Sequence, residues 1–185
     1  MAGSIKLIIG CMFAGKSSTM LRDVERYFIA KKRCVIIKYS GDDRYDHLSN
    51  NGGIVCHDGV ERSLVPVIIA DDLKSDHVTS IIDSHDVIGV SELQFFKNIM
   101  LVDEWANKGK IVICEALNGD YRRKNFENFQ DLFPLCEEII KIPAVCMKCY
   151  SDASFTKKIA NLQSDVIDIG GSEKYIPVCR GCYNK

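Results

Sequence analysis

The run Gly10-Cys11-Met12-Phe13-Ala14-Gly15-Lys16-Ser17 satisfies G-x-x-x-x-G-K-[ST] directly after the apolar stretch Ile5 to Ile9. At average residue usage, such a match arises by chance in roughly one chain in a hundred of this length. Its surroundings narrow the reading: a buried-strand pattern precedes the loop, and Ser18 to Ala30 follows with helical periodicity. Strand, glycine loop and helix in that order make a phosphate site. Two glycines let backbone N–H groups turn toward β- and γ-phosphate oxygens, and the positive end of the helix adds attraction for anions. Gly10, Met12, Phe13, Ala14, Gly15 and Ser18 belong to this cradle; Lys16 pairs with the β/γ-phosphates and Ser17 ligates Mg²⁺.

The pattern that follows is alternating. Cys34 to Lys38, Val87 to Val90 and Ile111 to Leu117 read as further buried strands. Ile68 to Ile82 contains a short helical pattern, and Phe95 to Lys108 has apolar residues at helical spacing. Such alternation predicts an α/β fold with a parallel sheet, right-handed crossovers and ligands beyond the C-terminal strand ends. The basic cluster Lys31-Lys32-Arg33 suits a helix C-terminus and needs no ligand. Ser40 to Gly53, rich in Gly, Asp, Asn and Ser, reads as a long loop. The alternation stops after Pro143, which divides the chain into residues 1–143, a nucleotide-binding unit, and 144–185, a smaller one.

Charge and cysteine content exclude several classes. With 24 Lys and Arg against 25 Asp and Glu, no field of one sign points to duplex nucleic acid or an anionic membrane. No apolar run approaches the length of a membrane span, and Met1 to Lys6 lacks the apolar core of a signal peptide, so a cytoplasmic location is expected. Four of the nine cysteines are patterned: Cys146-x-x-Cys149 and Cys179-x-x-Cys182 are two knuckles suited to a tetrahedral zinc site closed by four thiolates. Cys11, Cys34, Cys56, Cys114 and Cys136 are scattered and read as small apolar residues in or near the core. His47, His57, His77 and His85 have no metal partner at suitable spacing.

Glu92 falls just after the third strand, where the phosphates should lie. A carboxylate there can bind metal, orient water or take a proton from an attacking hydroxyl, and Gln94-Phe95-Phe96 beside it suggests the wall of a pocket for a planar ligand. From here the chain resembles the type II thymidine kinases, the family of the cytosolic animal and poxvirus enzymes. The likeness runs through Ile8 to Ser17, Ile37-Lys38-Tyr39, Asp42-Asp43-Arg44-Tyr45, Glu92 to Phe96 and Ala106 to Lys110. It continues through Ala116 to Gly119, Ala144 to Tyr150, Ala153 to Lys158, Ile169-Gly170-Gly171 and Tyr175 to Tyr183.

The resemblance implies a P-loop, RecA-like parallel sheet with helices on both faces and a small zinc-ribbon or lasso domain. It implies transfer of the γ-phosphate of ATP to the 5′-hydroxyl of thymidine, with Mg²⁺, structural Zn²⁺ and Glu92 as general base. Arg44 corresponds to a family residue near the phosphate. The matching wall for the base is Met12, Phe95, Leu117, Tyr121 and Phe126. The lasso, Tyr150 to Val178, contributes Thr156, Val166, Asp168, Gly170 and Tyr175. Feedback by dTTP and a homotetramer are also implied. Phe96, Trp105, Phe129 and Phe133 are read as core rather than pocket.

Two departures fall close to the implied metal. Ser91 stands where the family has an Asp before the catalytic Glu, and Glu115 stands on a buried strand where a small residue is usual. A carboxylate on a buried strand is costly unless paired or metal-bound, so Glu115 is expected to join Ser17 and Ser91 at the Mg²⁺ site and replace the missing charge. Cys11, in place of a proline, and Asp168, in place of an apolar lasso residue, also differ. Two other readings compete: a catalytically weakened homologue with a structural or regulatory role, and a zinc-ribbon nucleic-acid-binding ATPase. The neutral charge opposes the latter.

Overall fold

The structure, a computed structural model, describes residues 2–41, 63–159 and 170–185. Six parallel strands form the main sheet: β1 (Ser4–Gly10), β2 (Cys34–Tyr39), β3 (Val67–Ala70), β4 (Val87–Ser91), β5 (Ile111–Leu117) and β6 (Glu138–Ile142), in the order β3-β2-β4-β5-β1-β6. Three helices cover it: α1 (Lys16–Ile29), α2 (Asp76–Ile82) and α3 (Leu101–Asn107). Successive strand side chains point to opposite faces, so each central strand feeds two cores. Ile8, Ile36, Val87 and Ile113 meet Met20, Leu21 and Val24 of α1. Ile5, Leu7, Ile88, Val90 and Val112 meet Val78 and Ile82 of α2 and Val102 and Trp105 of α3 on the other face. Each such buried aliphatic side chain stabilises the fold by about 1.5–3 kcal/mol, which is why these strands are near-continuous apolar runs.

Close approach of α1 to the sheet is set at Gly89: a Cβ there would lie 3.0 Å from Ile36 and 3.2 Å from Val24. Asp23, nearly buried on α1, is held by Lys6 of β1 at 2.9 Å. No helix among the described residues is long and apolar enough to cross a membrane.

Ile68 to Ile82 contains the expected short helix, α2, but only from Asp76; Val67–Ala70 before it is a strand, because three β-branched residues favour extended backbone. Phe95 to Lys108 is interrupted. A 3-10 turn at Leu93–Phe95 is followed by extended chain and by Asn98 in the left-handed region (φ 58°), so α3 starts at Leu101. The strand β6, charged at Glu138 and Lys141, escapes the apolar signal altogether. Of the aromatics assigned to the core, Phe96, Trp105 and Phe129 are buried, whereas Phe133 is 38% exposed.

The C-terminal part is built from short pieces: β7 (Ala144–Val145), β8 (Asp152–Ala153), β9 (Phe155–Lys158), β10 (Tyr175–Val178) and α4 (Arg180–Tyr183). β7 pairs with β8 and β9 with β10, both antiparallel. This unit packs on the glycine loop: Cys11 and Ala14 share a core with Ala144, Cys146, Ala153 and Val178.

Candidate functional site

The site forms where β1, β4 and β5 end side by side. β1 delivers the chain to Gly10, whose Cβ, if present, would meet the Ile142 carbonyl oxygen at 2.6 Å, so only glycine lets β6 lie this close. The loop then turns through Phe13 (φ 65°) and Gly15 (φ 79°), both left-handed, before α1 starts at Lys16. Lys16 is buried, and its ammonium reaches back to donate to the Cys11 carbonyl at 3.2 Å. Ser17 follows at the open end of the helix, half-buried; Ser18 is exposed.

Strand alternation puts Ser91 and Glu115 on the α1 face, continuing the rows that begin with Val87 and with Ile113. Their side chains meet there. Oε1 of Glu115 accepts from Ser91 Oγ (2.8 Å), from the Glu92 backbone N–H (3.0 Å) and from Ser17 Oγ (3.2 Å). Glu115 is fully buried. Burial first, then the charge of Glu92, push its carboxyl above the usual carboxylate range; Lys16, the Ser91 hydroxyl and the Glu92 N–H pull the other way.

Glu92 adopts left-handed backbone (φ 57°, ψ 45°), a conformation that costs a non-glycine residue about 1 kcal/mol or more and recurs at functional sites. That turn lets its N–H serve Glu115 while its carboxylate takes a different partner. Gln94 donates to Glu92 Oε2 at 2.7 Å, and its own carbonyl oxygen accepts the Leu117 N–H at 3.0 Å. The base candidate is thus tied to the tip of β5 through one amide. Sequence reading placed Gln94 only in a pocket-wall segment and gave it no role of its own toward Glu92; the available signal was a polar amide two residues after that carboxylate.

Aromatic residues flank this centre. Phe95 is half-buried, its ring 5.7 Å from Phe126 in an edge-on arrangement (84°) and 5.5 Å from Tyr39. Tyr39, also without an assigned role from sequence, touches Phe96 as well (5.3 Å). A cleft of about 1020 Å³ opens beside Gln94, Phe95 and Phe126. From the C-terminal unit, Thr156 Oγ1 accepts the Met12 N–H at 3.1 Å, and the Tyr121 and Tyr175 rings lie 6.3 Å apart. Tyr183 donates to the Tyr121 carbonyl at 2.7 Å, and the Asn118 amide to the Ser154 carbonyl at 3.1 Å. Gly170 is buried; Arg44, Val166 and Asp168 lie outside the described residues.

Cys146, Cys149, Cys179 and Cys182 converge, their sulfurs all within 4.8 Å of one another. Thiolates around tetrahedral zinc sit about 3.8 Å apart for Zn–S near 2.3 Å, so the cluster could hold that ion with little adjustment. The remaining described cysteines are core residues: Cys11, Cys34 and Cys114 are buried, and burial pushes the Cys34 and Cys136 thiols up to about 11, far from a reactive thiolate. Cys56, His47 and His57 lie outside the described residues.

A family profile described as thymidine kinase matches residues 3–183. The chain belongs to the thymidine kinase family. The thymidine kinase of myxoma virus (strain Lausanne) is 46% identical over 184 residues, covering 98% of this chain and 96% of the relative. That of vaccinia virus (strain Western Reserve) is 44% identical over 183 residues, with 98% and 97% covered. Thymidine kinase 1 of Dictyostelium discoideum is 43% identical over 185 residues, with 99% of this chain and 78% of the relative covered. Both ends of the glycine loop, the Glu92 turn and the cysteine cluster therefore fall within the matched span of a thymidine kinase.

Proposed function

We propose that this chain transfers the γ-phosphate of ATP to the 5′-hydroxyl of thymidine, giving dTMP and ADP. The observation that carries the reading is the coupling of the glycine loop to Glu92: Ser17 of the loop and the Glu92 backbone share one acceptor, Glu115 Oε1. A phosphate-binding loop and a carboxylate suited to proton removal are thereby fixed in one small volume. The 5′-oxygen attacks the γ-phosphorus, the bond to the ADP oxygen breaks, and the hydroxyl proton passes to the Glu92 carboxylate. The backbone of Gly10 to Ser18 and the Lys16 ammonium stabilise charge on the transferring phosphoryl group. Mg²⁺, when bound at the Ser17 hydroxyl, neutralises phosphate charge.

Thymidine is held against Met12, Phe95, Leu117, Tyr121 and Phe126, with Thr156, Val166, Asp168, Gly170 and Tyr175 closing over it and Arg44 near the phosphates. The four thiolates hold zinc in a structural role, since four such ligands leave no open position for water. Pinning both ends of residues 150–178 offsets part of the entropy of ordering that loop. In this reading the protein is cytoplasmic and homotetrameric, dTTP acts as a feedback inhibitor, and neither nucleic acid nor membrane is a partner. Purified protein offered ATP with thymidine, deoxycytidine or deoxyguanosine tests the acceptor. Preferential phosphorylation of thymidine is expected, and preference for either of the others would refute the assignment.

A further inference from the structure

Glu115 sits inside the sheet, opposite Ile8 of β1, and is fully buried. An aliphatic residue would extend the row of Ile111 and Ile113 on this face of β5 without desolvating a charge, so packing does not account for it. Its two oxygens are treated unequally. Oε1 accepts three hydrogen bonds, whereas Oε2 has none. Among the described residues, Asp23 Oδ2 is the other buried carboxylate oxygen lacking a hydrogen bond, and it faces Lys6 Nζ at 2.9 Å. Among the described residues no cation forms an ion pair with Glu115: Lys16, whose charge acts on it from farther off, donates to the Cys11 carbonyl.

The donors to Oε1 add a second consideration. A hydroxyl has one proton, and those of Ser17 and Ser91 are both committed to Glu115, which leaves their lone pairs free. Two hydroxyl oxygens with free lone pairs and one unpartnered carboxylate oxygen make an all-oxygen set, the kind that takes a small, hard divalent cation. We propose that Glu115 is the carboxylate that fixes the divalent cation accompanying the nucleotide, acting with Ser17 and Ser91, so that the charge comes from β5 and Ser91 contributes only a neutral hydroxyl. This rests on the phosphotransfer reading for the identity of the nucleotide. The three hydrogen bonds to Oε1 orient the group before the cation arrives, which keeps the reorganisation on binding small.

The test is the coupling between Mg²⁺ and nucleotide, read without turnover. A fluorescent ADP analogue is titrated into the full chain with and without Mg²⁺, and the ratio of the two dissociation constants is taken. Wild type is expected to bind at least roughly tenfold tighter with Mg²⁺. Glu115→Gln, nearly isosteric, should bring the ratio close to one while leaving Mg²⁺-free affinity within about twofold. A ratio unchanged from wild type in Glu115→Gln overturns the proposal. If that variant does not fold, Ser91→Asp combined with Glu115→Ala returns a carboxylate from the neighbouring strand: recovery of the wild-type ratio supports the shared site, and a ratio near one overturns it. Thymidine phosphorylation by wild type is scored separately. Its absence, with Glu115-dependent coupling intact, would refute the thymidine reading and leave the metal site standing; turnover with unaltered coupling in Glu115→Gln would do the reverse.

Discussion

Gln94→Leu keeps side-chain volume nearly constant and removes both ends of the amide that joins Glu92 to β5. The Leu117 N–H loses an acceptor at 3.0 Å and Glu92 Oε2 a donor at 2.7 Å, at a place where Gln94 and Glu92 are 8% and 7% exposed. An orphaned buried N–H costs about 1–3 kcal/mol, and a hydrogen bond to a charged group contributes about 1.5–3 kcal/mol. Because one side chain makes both bonds, the two losses overlap, and we expect about 3 kcal/mol off the unfolding free energy. In urea this appears as a lower midpoint with an unchanged slope. Kinetically, a positioned base contributes about 10²–10⁴-fold, so losing its orientation should lower kcat by roughly tenfold or more. The KM for thymidine should hold within about twofold, because both ends of the amide are already engaged by the protein. Gln94→Glu is the companion variant. It can still accept from Leu117 N–H but sets a second carboxylate against Glu92, so its kcat deficit should deepen as pH rises. A Gln94→Leu enzyme with wild-type kcat, or one that loses KM instead, would refute this account of Glu92 positioning.

Removing zinc with a chelator, or substituting Cys146→Ser, should lower the melting temperature and weaken ATP binding together, because Cys146 shares a core with Cys11 and Ala14 of the glycine loop; equilibrium dialysis with ATP checks the second effect. Gly10→Ala should destabilise the protein strongly, since its Cβ would lie 2.6 Å from the Ile142 carbonyl oxygen and force β1 and β6 apart; thermal denaturation reads it. Asp86, gripped by the Arg33 guanidinium and its backbone N–H, is held well below the usual carboxylate range. A depressed folded value means stability that is present above the unfolded value of 3.8 and lost as pH falls through the folded one, so the stability gap between wild type and Asp86→Asn should narrow as pH drops from 5 to below 3.8. Added salt should narrow it too, since the pair is exposed.

The parts of the fold that could be read from sequence are those buried on two sides. β1, β2, β4 and β5 are apolar runs because helices cover both faces, and such runs announce themselves. The edge strands β3 and β6 do not: Ile69 is 49% exposed and β6 carries Glu138 and Lys141, so each blends into its surroundings. Glu115 stood out as a carboxylate within an apolar strand, and the expectation that it would lie beside Ser17 and Ser91 matches the contacts it makes. Its neighbourhood was inferable because strand order fixes which tips adjoin. Gln94 was not, because its meaning depends on an N–H 23 residues away whose direction no local pattern encodes. The same holds for Cys11, whose thiol donates to the Ala153 carbonyl across 142 residues of sequence.

The central claim is that Glu92 removes the proton in a transfer from ATP to thymidine. It is tested most directly by incubating wild type and Glu92→Gln with γ-labelled ATP, Mg²⁺ and thymidine and following labelled dTMP. The account predicts labelled dTMP from wild type and a kcat lower by about 10²–10⁴-fold in Glu92→Gln, with KM for thymidine little changed. No labelled dTMP from wild type, or wild-type turnover from Glu92→Gln, would contradict it.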